Sequence, residues 1–278
     1  RVTKTLFKKQ FSNSRSTMSV ASSASTQNQL DPNRWRALMV IAIAQLMVVL
    51  DASIVNIALP SLQADLGITD ANRQWVVTGY TLAFGGLLLL GGRISDFWGR
   101  KKAFMTGLLG FAGASAIGGI AQNQEMLFAS RALQGAFGAL LAPAALSLIT
   151  TTFSDSKERA KAFGVYGGLS AGGAAIGLVL GGLLTQYASW RWCLLVNVPI
   201  AIAAFMLAIP NVKESKASGD TRYDIPGAIT STLGLVSLVY GITKAGELGW
   251  SDTTTLTWFG VAITLLAAFF VIESRTSH

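Results

Sequence analysis

Three polar side chains fall inside stretches apolar enough to cross a bilayer. Asp51 lies in the apolar run 37–59, about eight residues or roughly 12 Å from its outer end at 1.5 Å per residue. A carboxylate at that depth costs roughly 2.5–3.5 kcal/mol on insertion scales, so it must face the protein interior, find a partner, or carry a proton part of the time. Each of these makes Asp51 a candidate for handling protons. Arg131 stands on the outer turn of a second run, 127–149, roughly 6 Å deep, and Gln134 lies one helical turn further in on the same face. Their depths predict a polar cluster of Asp51, Arg131 and Gln134, in which Arg131 holds Asp51 ionised until a substrate or a proton competes. A structural ion pair, or an Arg131 that snorkels to the outer surface, accounts for the same residues without transport.

The most specific pattern in the chain is Gly92-Arg93-Ile94-Ser95-Asp96-Phe97-Trp98-Gly99-Arg100-Lys101-Lys102. Gly99 permits a sharp reversal, Asp96 can accept from backbone N–H groups or from Arg100, and the three cations hold the connection at an anionic leaflet. An ordinary positively charged anchor explains it less completely. Gly92, Asp96, Gly99, Arg100 and Lys101 are therefore expected to form a conformational loop. A second glycine pattern, Gly164, Gly173, Gly177, Gly181 and Gly182, sits within an apolar run with no preceding strand and no following lysine, so it does not cradle phosphate. Spacing by four places Gly173, Gly177 and Gly181 on one face, where another helix backbone can approach closely. Asn56 and Tyr80 are candidate substrate-cavity residues, although polar side chains in membrane helices often only satisfy local hydrogen bonds.

The elements that must position these residues are membrane helices. Of the 278 residues, 51% are hydrophobic and 13% charged, with a mean hydropathy of +0.48, whereas a soluble domain carries about a quarter charged residues. Eight spans are predicted, over 37–59, 75–92, 103–121, 127–149, 162–184, 192–210, 226–243 and 255–272. Pro60 is expected to close the first and Asp224 with Pro226 to open the seventh, and a Gly-Trp turn near Trp250 separates the last two. Trp190, Trp192 and Trp250 fall at predicted outer boundaries, where headgroup anchoring suffices. With the N-terminus inside, only Arg73, Arg191 and Lys244 lie in outer segments, while the other loop cations, from Arg34 through Arg100 and Lys157 to Arg275, lie inside. That asymmetry predicts both ends of this chain to be cytoplasmic.

Composition excludes several function classes. The single cysteine, Cys193, and the single histidine, His278, leave no thiol pair, zinc set or histidine-based catalysis. No metal, no cofactor and no enzymatic activity are expected. The net charge of +8 is dispersed among short loops rather than laid out as a stripe interleaved with aromatics, so nucleic acid is not a partner. Residues 1–34 lack the uninterrupted apolar core of a secretory signal and read as a cytoplasmic tail, with Met18 as a candidate start preceded by upstream sequence.

The loop after the second span resembles the signature Gly-x-Leu-x-Asp-x-x-Gly-Arg-Lys of the major facilitator superfamily, with Ile94 for Leu and Phe97 where Arg is frequent. Leu50-Asp51-Ala52-Ser53-Ile54-Val55-Asn56-Ile57-Ala58-Leu59-Pro60, together with Trp190-Arg191-Trp192 and Asn197-Val198-Pro199, resembles patterns of its fourteen-helix drug:proton antiporter branch. Arg131, Gln134 and Gly135 match the superfamily's Arg-x-x-Gln-Gly, whose arginine is implicated in proton coupling. The glycine run is similar to Gly-x8-Gly-x3-Gly-Pro-x2-Gly-Gly, with Leu178 in place of Pro.

The resemblance implies an all-α membrane protein. A basic cytoplasmic tail (1–36) precedes a six-helix N-terminal bundle (37–210), a cytoplasmic linker (211–225) and an inserted two-helix transmembrane hairpin (226–278). Six further helices, the C-terminal half, are expected beyond His278. It implies proton-coupled efflux of a lipophilic small molecule or antibiotic across the plasma membrane. The proton gradient would supply the energy, and lipid, substrate, protons and the C-terminal half would be the partners. The alternative is a stand-alone membrane subunit acting beside a partner.

Overall fold

The computed structural model describes residues 32–217 and 225–276, and among them ten helices are found. They are α1 (Arg34–Leu66), α2 (Asp70–Arg73), α3 (Trp75–Trp98), α4 (Arg100–Gly119), α5 (Gln124–Thr152), α6 (Ser156–Tyr187), α7 (Arg191–Leu195), α8 (Asn197–Asn211), α9 (Ile225–Leu248) and α10 (Thr253–Thr276). Seven helical segments are long and apolar enough to cross a membrane. The predicted third span, 103–121, corresponds to α4, which is helical but falls short of that standard. It is rich in Gly, Ala and Ser and is largely enclosed, with Phe104, Leu108, Phe111 and Ser115 buried, so it needs fewer large apolar groups than a helix surrounded by lipid.

Local chemistry sets most of the boundaries. Pro60 lies inside α1 and does not close it: the ring removes one donor, yet the helix continues to Leu66 and ends at Gly67 with φ 63°, a left-handed terminator whose N–H bonds to Gln63 O. Asn123 starts α5 by accepting from Met126 N–H at 2.8 Å, and Asp155 starts α6 by accepting from Lys157 and Glu158. Pro199 cannot supply an N–H to the carbonyl four residues earlier, Leu195 O, and the predicted sixth span accordingly breaks at Val196 into α7 and α8. Gly249, with φ 94°, turns the chain between α9 and α10, where Asp252 accepts from Thr254 N–H, a bond that holds its carboxyl below the usual carboxylate range. Asp224, predicted to cap the seventh span, lies outside the described residues.

From Asn33 onward the chain forms one compact unit. Within it α3 and α4 both pack on α5, α6 packs on α1, and α8 bridges α1 and α4. The α9–α10 hairpin lies against α3, where a Cβ on Gly86 would run into Val236. At the end of this contact Lys244 pairs with Glu247, which also accepts from Gln74, and the ammonium lies over the rings of Trp75 and Tyr240. Two apolar clusters form the interior. One contains Ile41, Met47, Phe104, Phe111 and Phe153, and the other Ile54, Leu62, Leu127 and Trp190. On α1 the first ends at Val48 and the second begins at Leu50, and Asp51 enters at that junction.

Candidate functional site

Asp51 falls midway along α1 and is fully enclosed. Its Oδ2 accepts from Arg131 Nη1 at 2.6 Å. Its Oδ1 accepts from Gln134 Nε2 at 2.9 Å and from Asn197 Nδ2 at 2.7 Å. Gln134 Oε1 accepts from Arg131 Nη1 at 2.7 Å, so the three predicted residues close a ring. Ser115 Oγ lies beneath it, 2.7 Å from Gln134 Nε2 and 3.4 Å from Asn197 Nδ2. Four helices, α1, α4, α5 and α8, thus contribute to one buried polar network, which leaves a buried carboxylate its hydrogen-bond partners and countercharge.

Arg131 sits deeper than expected. Because α5 begins at Gln124 rather than near Leu127, the arginine is about two turns, roughly 10 Å, inside its helix. It is 1% exposed, and its guanidinium points inward instead of snorkelling. Nε donates to Val76 O at 3.0 Å, and Cζ stands 4.6 Å above the Tyr80 ring, a separation within cation–π range. Tyr80 is consequently buried under the network and stacked on Phe84; it does not line open space. Asn56 is exposed and spends its amide on Ala52 O at 2.7 Å. The two cavity candidates therefore sit in different surroundings. Close helix approach secures the site: a Cβ on Gly135 would run into Tyr80 O, and one on Gly91 into Ala139 O.

Asn197 and Ser115 join the network without having been predicted. Asn197 belongs to the Asn-Val-Pro stretch noted in the sequence, and an amide just before a helix-breaking Pro199 was the available signal. Ser115 sits in a Gly/Ala-rich helix where nothing in the local pattern distinguishes it.

The connection between α3 and α4 is tighter than a loop. Gly92 to Trp98 are helical, and Gly99 alone, at φ 122°, separates α3 from α4. Arg100 grips Asp96 at 2.9 and 3.1 Å. A partner from outside the motif is Glu214, whose carboxylate accepts from Lys101 N–H at 3.0 Å and Lys102 N–H at 3.2 Å. An acidic group there satisfies the free amides and the positive end of the α4 dipole. Lys101 Nζ donates to Ile209 O, Arg100 N–H to Ser215 O, and Ala217 N–H to Asp96 O, so the segment after α8 is laced to the α3–α4 turn. A Cβ on Gly99 would lie 2.7 Å from the Glu214 carboxylate.

On α6, Gly173, Gly177 and Gly181 face α1: added Cβ atoms would lie 2.8 Å from Leu46, 2.6 Å from Ser53 and 3.2 Å from Ile54. Gly164 and Gly182 have nothing within 4 Å of such an atom. They were expected to pack helices but make no such contact among the described residues, because their positions turn away from α1. Trp190 also departs from expectation. It is 4% exposed, not a headgroup anchor; its Nε1 donates to Asp65 at 2.9 Å, and Arg191 stacks over its ring while binding Asp65, Gly119 O and Ala121 O. Trp192 and Trp250 are exposed.

The sequence profile described as Major Facilitator Superfamily matches residues 41–277, and the chain belongs to that family of multi-pass membrane proteins. The puromycin resistance protein of Streptomyces alboniger is 52% identical over 245 residues, covering 88% of this chain and 48% of the relative. The cephamycin export protein of Amycolatopsis lactamdurans is 42% identical over 241 residues, covering 86% and 50%. This chain spans about half the length of the curated relatives it matches. Among solved structures, a peptide transporter in complex with sulfate superposes with a TM-score of 0.63 at 14% identity, covering 87% of this chain and 53% of that one. The human organic anion transporter MFSD10 gives 0.59 at 16%, covering 75% and 55%. What these structures share with the chain is the fold.

Proposed function

We propose that this chain is the N-terminal part of an exporter that exchanges protons for a lipophilic small molecule or antibiotic. The observation that carries the reading is the enclosed Asp51–Arg131 pair, an ionisable couple held at the centre of α1 with every carboxylate oxygen satisfied. Ionisable residues within membrane helices are rare and mark proton or substrate pathways. In its ionised form Asp51 neutralises Arg131. When Asp51 takes a proton, the guanidinium loses its countercharge but keeps Val76 O, Gln134 Oε1 and the Tyr80 ring. The two protonation states thus prefer different arrangements of α1 and α5, and rocking of this bundle against a second one would expose Asp51 to alternate sides.

Protons move inward as substrate leaves, with Asn56 as a candidate contact and Tyr80 supporting Arg131. The puromycin, cephamycin and tetracenomycin C named in its relatives define the substrate class to test first. The one-sided distribution of Lys and Arg supports a plasma-membrane orientation with Arg34, Gly99 and Glu214 at the cytoplasmic side.

The test uses the full-length protein in sealed vesicles carrying a pH gradient. Addition of puromycin is expected to collapse the gradient, and Asp51→Asn and Arg131→Ala to abolish the response while both variants still insert. Undiminished collapse in both variants would remove the coupling site.

A further inference from the structure

Every polar contact to the Asp51 carboxylate is a donor: Arg131 to Oδ2, Gln134 and Asn197 to Oδ1. A carboxylate only accepts, whereas a carboxylic acid must donate its O–H. Three donors fill three of the carboxylate's roughly four acceptor sites, and a proton arriving on Oδ1, which already takes two of them, meets an N–H, so that one donor has to give way. The three are not equivalent. Arg131 has no acceptor to offer. Gln134 has one, but Oε1 already holds Arg131 and Nε2 also reaches Ser115, so reversing its amide would set an N–H against the guanidinium. Asn197 alone has an uncommitted acceptor: its Oδ1 is buried without a hydrogen-bond partner.

We infer that Asn197 reads the protonation state of Asp51, its side-chain amide donating to the carboxylate and turning over to accept from the carboxylic acid. Half a turn about the terminal torsion brings Oδ1 to the place of Nδ2, 2.7 Å from Asp51 Oδ1 and 3.4 Å from Ser115 Oγ, whose hydroxyl rotates to donate. The turn breaks no hydrogen bond at its far end, since none is made there. The present orientation follows from chemistry, because the reverse would oppose a carbonyl to a carboxylate. Asn197 opens α8 at the break imposed by Pro199, where the backbone is least committed to helical bonding.

Around this pair α5 contributes the charge of Arg131, α3 the Tyr80 phenol and α7 the Cys193 thiol, the last two near enough to feel the Asp51 charge. From α4 comes the neutral Ser115, and from α6 Gly177, Gly181 and Thr185, the last bonded to Gly181 O. None of these provides a competing carboxylate. The step forms one O–H bond with a proton from solvent and breaks no covalent bond in Asn197.

The inference rests on proton exchange at Asp51, and infrared difference spectroscopy separates the two. The full-length protein, carrying asparagine labelled with ¹³C at the side-chain carbonyl, is reconstituted in lipid and taken through a downward pH step. A carboxylic acid band is expected to grow while one labelled amide carbonyl band shifts down as it gains a hydrogen bond, both with the same midpoint. Asp51→Asn should remove both changes; Asn197→Leu should remove the amide change and displace the acid band. Should Asn197→Leu not accumulate, the wild-type spectra and Asp51→Asn still decide. Absence of an Asp51 acid band overturns proton exchange itself. An acid band with an unmoved amide, or an amide shift surviving in Asp51→Asn, overturns the role of Asn197 alone.

Discussion

Arg131 Nη1 and Asp51 Oδ2 lie 2.6 Å apart, with the two side chains 2% and 0% exposed. A pair so enclosed is costly to break from one side, since truncating one partner leaves an uncompensated buried charge worth about 3–5 kcal/mol. Arg131→Met and Asp51→Asn should therefore each lower thermal stability in detergent, the second because it leaves a buried guanidinium that cannot give up its proton. The double variant Asp51→Asn with Arg131→Met, which leaves no charge unpaired, should lose less than the two single losses added together. Strictly additive losses would mean that the two residues do not interact in the folded protein.

Adjacent glycines provide a second contrast. A Cβ on Gly91 would penetrate Ala139 O, whereas one on Gly92 would make an ordinary 3.7 Å contact with Pro143. Gly91→Ala must wedge α3 away from α5, and overpacking of this kind costs about 1–3 kcal/mol. Gly92→Ala should be close to neutral. Thermal denaturation of the two variants checks this, and equal stability would show that α3 and α5 do not approach as closely as described.

The polar cluster was legible because hydrocarbon makes polarity conspicuous: Asp51, Arg131 and Gln134 stand out in runs that should contain none, and depth alone suggests that they meet. Asn197 was less legible, since its stretch lies near a predicted boundary where an amide is unremarkable, and Ser115 is hidden in small-residue composition. Pro60 misled because a missing donor ends helices in water more readily than in a packed bundle, where neighbours support the continuing turn. Glu214 follows α8 in a polar segment and reaches a turn more than a hundred residues earlier, a tertiary contact that no local periodicity encodes. Trp190 was assigned to the interface from its residue type; its indole instead donates to Asp65, at the far end of α1.

The Glu214 contact makes its own prediction. Glu214→Ala removes acceptors from the Lys101 and Lys102 amides, a loss comparable to that of a helix cap, about 1 kcal/mol. Gly99→Ala adds a side chain at φ 122° and within 2.7 Å of the same carboxylate, so it should be the more damaging. Combining the two removes the steric conflict and leaves only the backbone strain. The double variant should thus be less damaged than the sum, measured as the rate of tryptic cleavage at Lys101 and Lys102 in inside-out vesicles. A sum obeyed to within error would place the carboxylate elsewhere.

The hairpin offers a test of what moves together. A Cβ on Gly86 of α3 would stand 3.4 Å from Val236 Cβ on α9, close to the roughly 3.5–4.5 Å that a disulfide requires. In a full-length protein whose Cys193 is replaced by Ser, the pair Gly86→Cys and Val236→Cys should cross-link on mild oxidation, with the bond seen as slower unfolding on heating that a reductant reverses. If α9 and α10 travel with α3 as one body, substrate-driven collapse of the pH gradient should be the same before and after oxidation. Efficient cross-linking with loss of that response would instead mean that the hairpin slides along α3 during each cycle. In that case the Gly86–Val236 contact describes one state of a moving interface rather than a fixed one.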